Sequence, residues 1–269
     1  MKRTFSSMAK SSLVVCLLAL GTTSVQAGEE RVPFGYSGDI GPEFWGSLVN
    51  EAGELAYPIC GTGQQQSPID LSLNIEEEGD EIKFDYRDQE LNVLNTGTTL
   101  EVEVGNGSSI RIDGTRYQLL QFHFHTPSEH TLNGAPFAAE AHFVHMSSAG
   151  QIAVVGSLVE FGEANELFQL VLDNAPREEG EVETEIEINP SEALPEEIRE
   201  DGEVEAEEYF SYDGSLTTPP CSEGLLWYVM DEEMTFSADQ VTEFRSFFGG
   251  PNARPTQALN GRVVVQSDD

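Results

Sequence analysis

The sequence contains few basic residues. Its 13 lysines and arginines stand against 48 aspartates and glutamates, giving a formal net charge of −35 over 269 residues. Beyond residue 10 the only lysine is Lys83. Such a charge repels phosphate groups and anionic lipid, which argues against nucleic acid or an acidic membrane surface as a partner. An acid-rich, lysine-poor composition also suggests a halophilic protein, which we treat as a hypothesis.

Long hydrophobic runs are also missing. The only apolar stretch of note is "SSLVVCLLAL" at 11–20, which is shorter than the roughly 20 residues that span a bilayer. Lys2, Arg3 and Lys10 precede it, and a Val25-x-Ala27 pattern follows. This layout predicts a secretory signal peptide over 1–27 and a periplasmic or secreted protein, with a transmembrane anchor as the alternative. After cleavage, 10 basic residues would face 48 acidic ones, a net charge of −38.

Cysteine is scarce, with three residues in the whole chain. Cys16 lies within the predicted signal, so that only Cys60 and Cys221 remain after cleavage. Two cysteines in an exported protein most often form one disulfide bond. Two free thiols or a pair of metal ligands are the alternatives.

Residues 28–269 are interpreted as a single, mainly β domain. Residues 28–60 are rich in glycine, proline and aromatics, which indicates an irregular arm that packs on a larger body. From residue 82 onward, short alternating segments recur about every ten residues, with Gly, Asn or Asp between them, which predicts antiparallel strands. The segment "ANELFQLVLDNA" has apolar residues at helical spacing and predicts a helix.

Residues 177–208 are the most biased part of the chain, with 15 acidic residues and two arginines. We interpret them as an acidic surface segment, a solvated insertion, with a cation or partner site as the alternative. Within them, "EVETEIEI" alternates like an edge strand with its charge on one face, a pattern that discourages edge-to-edge pairing.

Histidine is also scarce, and its distribution is informative. All five histidines lie between residues 123 and 145. Alternation along a strand places Gln121, His123 and His125 on one face of "LLQFHFHT". It likewise places Glu140 and His142 on one face of "AAEAHFVHM". If the two strands are neighbours, three imidazoles converge, with Gln121 and Glu140 positioned to accept from their second ring nitrogens.

Three histidines with an open fourth position form a ligand set for catalytic zinc, for which the family named in the next paragraph is itself the standard example. Histidines that merely pack together or face solvent are the alternative. His130 and His145 fall outside the set, and we expect them to be buried, hydrogen-bonded structural residues.

Six segments in the right order resemble the α-class carbonic anhydrases over most of residues 33–265. The resemblance implies a large twisted, mostly antiparallel sheet with short peripheral helices. It also implies a lyase that hydrates carbon dioxide reversibly to bicarbonate and a proton by zinc-bound hydroxide, and a homodimer in some exported relatives. The segments are "GPEFW", "YPICGTGQQQSPIDL", "LLQFHFHTPSEHTLNG", "AAEAHFVHM", "YDGSLTTPPCSEGLLWYV" and "NARPTQALNGR".

The resemblance also implies roles for individual residues. Glu129 orients the hydroxyl of Thr217, which in turn orients the zinc-bound hydroxide. Cys60 and Cys221 match the disulfide pair of exported members. The remaining roles are three zinc ligands (His123, His125 and His142), three groups that hold those ligands (Gln121, Glu140 and the backbone carbonyl of Asn252) and a substrate pocket (Val144, Val154, Leu216, Thr218, Leu225 and Trp227).

The sequence departs from the family pattern at the proton shuttle. Many fast members carry a histidine where this chain has Thr98, with Thr96 beside it, and no sixth histidine exists to replace it. Threonine has no pKa near neutral pH, so we expect proton release to limit the rate. A non-catalytic binding protein on the same fold is the rival interpretation. Such relatives usually lose a zinc histidine, whereas this chain retains all three.

Overall fold

The computed structural model describes residues 32–268, except 73, 80, 196, 197, 199–203 and 207. The predicted signal peptide at 1–27 and parts of the acidic segment therefore lie outside the described residues. Among the residues described, no helix is long and apolar enough to cross a membrane.

Short strands dominate the described chain. The α-helices in this described part are α1 (Ile59–Thr62), α2 (Glu166–Asn174) and α3 (Ala238–Phe248). The strands are β1 (Asn74–Glu78), β2 (Ile82–Asp85), β3 (Gln89–Asn95), β4 (Leu100–Glu103), β5 (Ser109–Ile112), β6 (Thr115–His125), β7 (Thr131–Leu132), β8 (Ala135–Pro136), β9 (Ala139–Ser147), β10 (Ile152–Phe161), β11 (Gly180–Ile188), β12 (Glu205–Ala206), β13 (Tyr209–Ser215), β14 (Glu223–Met230), β15 (Met234–Phe236) and β16 (Val264–Asp268).

Within the described residues, 14 of these strands form one sheet, whose long axis follows the order β1-β16-β13-β14-β10-β9-β6-β4-β3-β11. Most neighbours are antiparallel, and the parallel pairs are β1–β16, β10–β14 and β10–β15. The expected large, mostly antiparallel sheet with few short helices is confirmed. Strands β6 and β9 are adjacent near the middle of the sheet, so that the strands carrying the three candidate ligands are neighbours, as expected.

One face of the central strands supplies the main core. Phe122 and Phe124 of β6 and Phe143 of β9 are fully buried on that face. Phe168 of α2 and Phe244 of α3 contact Phe124, with ring centroids 4.7 and 6.4 Å away. The aromatic residues that alternate with the histidines therefore anchor the two helices, and the histidines lie on the opposite face.

A bulge in β6 decides which residues share the histidine face. Pairing with β9 shifts by one residue between Leu119 and Gln121. Leu119 therefore points into the core, although alternation alone would put it on the same face as His123. The interruption lets one strand contribute apolar residues to the core along its whole length and still present imidazoles at its end.

The acidic segment differs in part from the prediction. Strand β11 pairs with β3 and forms the end of the sheet, so Gly180–Ile188 is part of the sheet rather than an insertion, while its glutamates stay exposed at the surface. After it, Ile188, Ala193 and Leu194 are buried in the core. The edge-strand interpretation is confirmed, since exposed glutamates alternate along β11 with half-buried residues.

Helix α2 confirms the predicted helix, and the Asn165 side chain caps it by accepting from the amide of Phe168. Helix α3 was not predicted. Its capping box, in which Ser237 and Gln240 bond reciprocally, is a local signal that could have revealed it.

The N-terminal arm, defined as residues 32–72, packs on the sheet as expected. Gly46 and Gly61 approach so closely that a Cβ on Gly46 would lie 2.6 Å from the Gly61 backbone. Cys60 of the arm forms the predicted disulfide bond with Cys221, across 161 residues of sequence.

Candidate active site

Three imidazoles meet on the face of β6 and β9 opposite the aromatic core. His123 and His142 are direct partners across the two strands, and His125 follows two residues along β6. Their ring centroids lie 4.7 to 5.2 Å apart. One ligand atom from each residue lies within 4.8 Å of the others, so the three could hold a single metal ion.

Each of the three rings is held by one acceptor through one of its nitrogens. The acceptor oxygens come from a side-chain amide, a backbone carbonyl and a carboxylate, each 2.8 Å from its ring nitrogen. The pairs are His123 Nδ1 with Gln121 Oε1, His125 Nδ1 with the carbonyl oxygen of Asn252, and His142 Nε2 with Glu140 Oε1.

Those contacts fix the tautomers, because an oxygen acceptor requires the proton on the nitrogen that it binds. The second nitrogens, Nε2 of His123 and His125 and Nδ1 of His142, then carry a lone pair. Nε2 of His125 is buried and has no hydrogen-bond partner in the described part of the chain. A buried orphan acceptor beside two more imidazole lone pairs suits a cation such as zinc.

Burial keeps these rings neutral. It lowers the pKa of His125 to about 4 and holds the pKa of His123 well below its usual range, with further lowering from the neighbouring histidines. Burial also lowers the pKa of His142, although Glu140 partly offsets it. Neutral imidazole is the form that binds metal ions.

Glu140 is the most heavily bonded side chain in the site. Its carboxylate accepts from the rings of His142 and His130 and from the backbone amides of Glu129 and His130. Burial alone would raise its pKa, but His130 and His142 outweigh that effect and hold the pKa well below its usual range. Gly156, opposite His142 on β10, leaves room for this carboxylate, since a Cβ there would lie 3.1 Å from Glu140 Oε1.

The two remaining histidines are fully buried and hydrogen-bonded, which confirms the structural interpretation. His130 bridges Glu140 and the hydroxyl of Tyr212, at 2.6 and 2.7 Å. His145 lies on the core side of β9, where its Nε2 is 2.8 Å from the hydroxyl of Tyr86.

Glu129 and Thr217 are both buried close to the histidines. Oε1 of Glu129 accepts from the backbone amide of Arg254 at 2.7 Å, while Oε2 lacks a hydrogen-bond partner of good geometry among the residues described. Burial raises the pKa of Glu129 to about 7, against the lowering effects of His142, the Arg254 amide and the Thr217 hydroxyl. The carboxylate thus interacts with the Thr217 hydroxyl without a fully formed bond.

The residues expected to form an apolar pocket lie on neighbouring strands beside the histidines. Val154 of β10 pairs with Val144 of β9 on one side and with Trp227 of β14 on the other. The Trp227 ring contacts His142, with ring centroids 4.8 Å apart. These three and Leu225 are nearly or fully buried, while Leu216 and Thr218 are half-buried next to Thr217.

Thr98 lies in the turn between β3 and β4 and is linked to the histidine strand through Asn252. The side-chain amide of Asn252 donates to the carbonyls of Thr98 and Phe124, at 3.1 and 3.0 Å. The hydroxyls of Thr96 and Thr98 lie 3.1 Å apart. The position expected for a proton shuttle is therefore close to the His125 end of the site.

Sequence reasoning missed several residues that support the site. Arg254 and Tyr212 contact Glu129 and His130, and Arg245 of α3 donates to the hydroxyl of Thr126. None of them carries a local pattern that distinguishes it from other buried residues. For Tyr212 and Arg254 the only signal is their position in "YDGSLTTPP" and "NARPTQALNGR", and Arg245 lies in neither segment.

Comparison with known proteins places the chain in a well-defined group. A family profile described as eukaryotic-type carbonic anhydrase matches residues 41–268. A carbonic anhydrase of Nostoc sp. is 36% identical over 90% of this chain and 88% of its own length. One from Pectobacterium carotovorum is 33% identical, covering 94% and 96%. The solved α-carbonic anhydrase from Thermovibrio ammonificans, in complex with the inhibitor sulfanilamide, is 39% identical with a TM-score of 0.78, covering 87% of this chain and 99% of its own.

Proposed function

The chain belongs to the α-carbonic anhydrase family, and as a carbonic anhydrase acts on carbon dioxide and bicarbonate; on that premise we propose that its activity depends on zinc held by His123, His125 and His142. The observation that carries the proposal is that each of the three rings has one nitrogen left without a proton, and that ligand atoms of the three residues lie within 4.8 Å of one another. A bound zinc ion would supply the Lewis acidity that makes hydroxide available at neutral pH, a property for which this family is the standard example.

The residues around the histidines have complementary tasks. Gln121, the Asn252 carbonyl and Glu140 hold the three rings in orientation, as outer partners of metal ligands generally do. Glu129 is placed to accept from the Thr217 hydroxyl, and with that proton engaged the Thr217 oxygen could only accept, which would let it aim the reactive oxygen. The reactive oxygen is thereby directed without a protein group that must itself lose a proton.

The apolar wall formed by Val144, Val154 and Trp227 suits carbon dioxide, which has no charge and no proton to donate. A neutral substrate gains nothing from a charge clamp, whereas bicarbonate, the charged product, is disfavoured by apolar surroundings. The pocket therefore accepts the neutral substrate and disfavours the charged product.

The test is stopped-flow hydration of carbon dioxide together with metal analysis, comparing the native protein with His123→Ala. We expect about one zinc per chain and rapid hydration in the native protein, and loss of both in the variant. His145→Gln is the matched control, because His145 lies on the opposite face of the sheet. A variant that keeps both zinc and rate would overturn the ligand assignment.

We further propose that proton release limits the rate, because Thr98 lies where many members of the family have histidine. Thr98→His should raise kcat in weak buffer, because imidazole has a pKa near ambient pH. Free imidazole should raise kcat of the native protein in the same way. The measurement is kcat against buffer concentration at constant ionic strength.

Thr99→His is the control, because Thr99 is adjacent in sequence but does not occupy the shuttle position. Its hydroxyl donates to the Phe124 carbonyl, whereas the hydroxyls of Thr96 and Thr98 contact each other. If kcat responds neither to imidazole nor to Thr98→His, another group releases the proton and the assignment of Thr98 fails.

Export is also part of the proposal. The Cys60–Cys221 disulfide supports an oxidising compartment, in which such bonds persist. Expression of the full sequence followed by cell fractionation and N-terminal sequencing of the product should show cleavage after Ala27 and a periplasmic or secreted location. Retention of residues 1–27 in the cell would contradict it.

A further inference from the structure

Arg254 is a buried arginine that joins the N-terminal arm to the active site. It is 3% exposed and follows α3 in the "NARPTQALNGR" segment. Its guanidinium donates to the carbonyl of Ser67 at 2.7 Å, to Gln66 Oε1 at 3.0 Å and to the carbonyl of Cys60 at 3.2 Å. It also lies 5.6 Å from the ring centroid of Trp45. All four partners belong to the arm.

This cation is buried without a carboxylate partner at ion-pair distance in the described part of the chain. Burial lowers the pKa of Arg254 to about 10, and the more distant charge of Glu129 offsets this only in part. Removing a charge from water is costly even when its hydrogen bonds are satisfied, and an apolar side chain of similar volume often replaces a buried charge without loss of stability. Packing alone does not account for an arginine here.

The backbone amide of Arg254 suggests why an arginine is buried at this position. Its amide donates to Oε1 of Glu129 at 2.7 Å, inside the protein, where Glu129 is 1% exposed. With Oε1 occupied, Oε2 is the oxygen left for the Thr217 hydroxyl. The position of one backbone amide therefore decides how the Glu129 carboxylate is presented to Thr217.

We propose that Arg254 is a positioning residue for the Glu129–Thr217 pair. Its guanidinium clamps the backbone at 254 to the arm, and the amide of that backbone orients Glu129. The Cys60–Cys221 disulfide links this clamp to the loop that carries Thr217. The backbone carbonyl of Cys60 accepts from Arg254, and the amide of Cys221 donates to the carbonyl of Thr218. The arm thus braces Glu129 from one side and the Thr217 loop from the other. This inference rests on the proposed function for the roles of Glu129 and Thr217.

The consequence is a change in ligand preference. While the Thr217 hydroxyl donates to Glu129, its oxygen can only accept, so ligands with a proton to donate are favoured over anions without one. If Glu129 is displaced, the hydroxyl can turn and donate to an anion. Loosening Arg254 should therefore strengthen thiocyanate binding and weaken binding of a primary sulfonamide, without removing any group that contacts either ligand.

The experiment compares Arg254→Met with the matched control Arg262→Met. Arg262 is a similar clamp, since its guanidinium donates to the Gln66 carbonyl of the arm at 2.7 Å and lies 5.6 Å from the Tyr212 ring. The structure shows no contact between Arg262 and Glu129. The first readout is the amide proton shift of residue 254 in zinc-free protein, referenced to Glu129→Gln. The second is the ratio of inhibition constants for thiocyanate and the sulfonamide in zinc-loaded protein.

In Arg254→Met we expect the amide proton to move toward its position in Glu129→Gln, and the inhibition ratio to shift roughly tenfold, the size of one hydrogen bond to a charged group. Arg262→Met should leave both readouts at native values while lowering Tm. Arg254→Lys keeps the charge but cannot reach three acceptors at once, so it should be intermediate; it also replaces the methionine variant if that one does not fold.

Native values of both readouts in Arg254→Lys and Arg254→Met would overturn the proposal and leave Arg254 as a purely structural residue. The amide shift is measured without zinc and without turnover. A native protein that fails to hydrate carbon dioxide would therefore contradict the proposed function while leaving the clamp itself testable.

Discussion

At the scale of single residues, the site depends on how each polar atom of a buried side chain is used. Glu140 shows this most clearly, because its two carboxylate oxygens receive four hydrogen bonds at a fully buried position. Two come from histidine rings and two from backbone amides. The same carboxylate thus orients His142 and fixes the chain at Glu129 and His130, so that its position is determined from several directions.

Glu140→Gln should weaken zinc binding roughly 10- to 100-fold, the usual cost of losing an outer partner of a metal ligand. The amide can still accept from His142, but its NH2 group would face two backbone donors, which should destabilise the fold by about 1–3 kcal/mol. Zinc affinity is measured by chelator competition, and stability by urea unfolding of the zinc-free protein. The control is Glu160→Gln, at an exposed position of β10, which should change neither zinc affinity nor stability. An unchanged zinc affinity in Glu140→Gln would contradict the role of the carboxylate.

The buried ring of His145 makes the free energy of unfolding depend on pH. Burial lowers its pKa to about 3 in the folded protein, against about 6.5 when unfolded. Between those values the unfolded chain binds a proton that the folded chain does not, so stability is full above about pH 6.5 and falls as the pH is lowered toward 3. The slope contributed by one such group is at most about 1.4 kcal/mol per pH unit.

His145→Gln should therefore have a lower free energy of unfolding at pH 7 but a shallower decline between pH 6.5 and 3, with a glutamine amide available for Tyr86 in place of Nε2. Urea unfolding at a series of pH values measures both quantities. Parallel curves for the two proteins would show that His145 takes up a proton as readily when folded as when unfolded.

At the scale of elements, the sheet combines a functional face with charged ends. The last strand, β11, carries exposed glutamates, and Glu181 and Glu183 lie near Glu103 of β4. Unpaired strand edges invite association with other chains, and charge is a common means of preventing it. The cost of this protection is repulsion among the carboxylates themselves.

Glu103→Gln tests that cost. Burial and the two neighbouring glutamates raise the pKa of Glu103, so the ionised carboxylate destabilises the folded protein above the unfolded pKa of about 4.3. Removing it should increase the free energy of unfolding at pH 7 by a few tenths to about 1 kcal/mol, and the gain should vanish below about pH 4 and shrink in molar salt. Glu77→Gln, an exposed position on β1, serves as control, and a loss of stability in Glu103→Gln at pH 7 would contradict the repulsion.

At the scale of the whole molecule, the net charge of −35 is the dominant feature. The described ion pairs that involve lysine or arginine are exposed and contribute little. Repulsion among the carboxylates is therefore largely uncompensated and depends on the surrounding salt for screening.

Tm should therefore rise when NaCl is raised from millimolar to about 0.5 M, where the Debye length falls well below 10 Å. Differential scanning calorimetry at pH 7 measures the change. Sucrose at matched osmolality separates screening from general solute effects, and a Tm that is the same at both salt concentrations would refute the idea that this charge adapts the protein to a salty habitat.

The sequence by itself determined the periodic features and the chemically rare ones. Alternation placed His123 and His125 with Gln121 on one face of "LLQFHFHT" and His142 with Glu140 on one face of "AAEAHFVHM", because strand geometry is local. That the two faces meet depended on the pairing of β6 with β9. Because cysteine and histidine are scarce, only a few residues were candidates for the disulfide bond and for the metal-ligand set. Helix α2 was equally local, whereas α3 escaped notice despite its capping box.

Only the tertiary structure decided which groups complete the site, because their contacts join residues far apart in sequence. Asn252 supports His125 across 127 positions, and Arg254 joins Glu129 across 125 and Cys60 across 194. The bulge at Leu119–Gln121 and the place of β11 at the end of the sheet likewise depend on which strands pair. Hydrogen bonds of this kind follow from packing in three dimensions, and no local pattern in the chain encodes them.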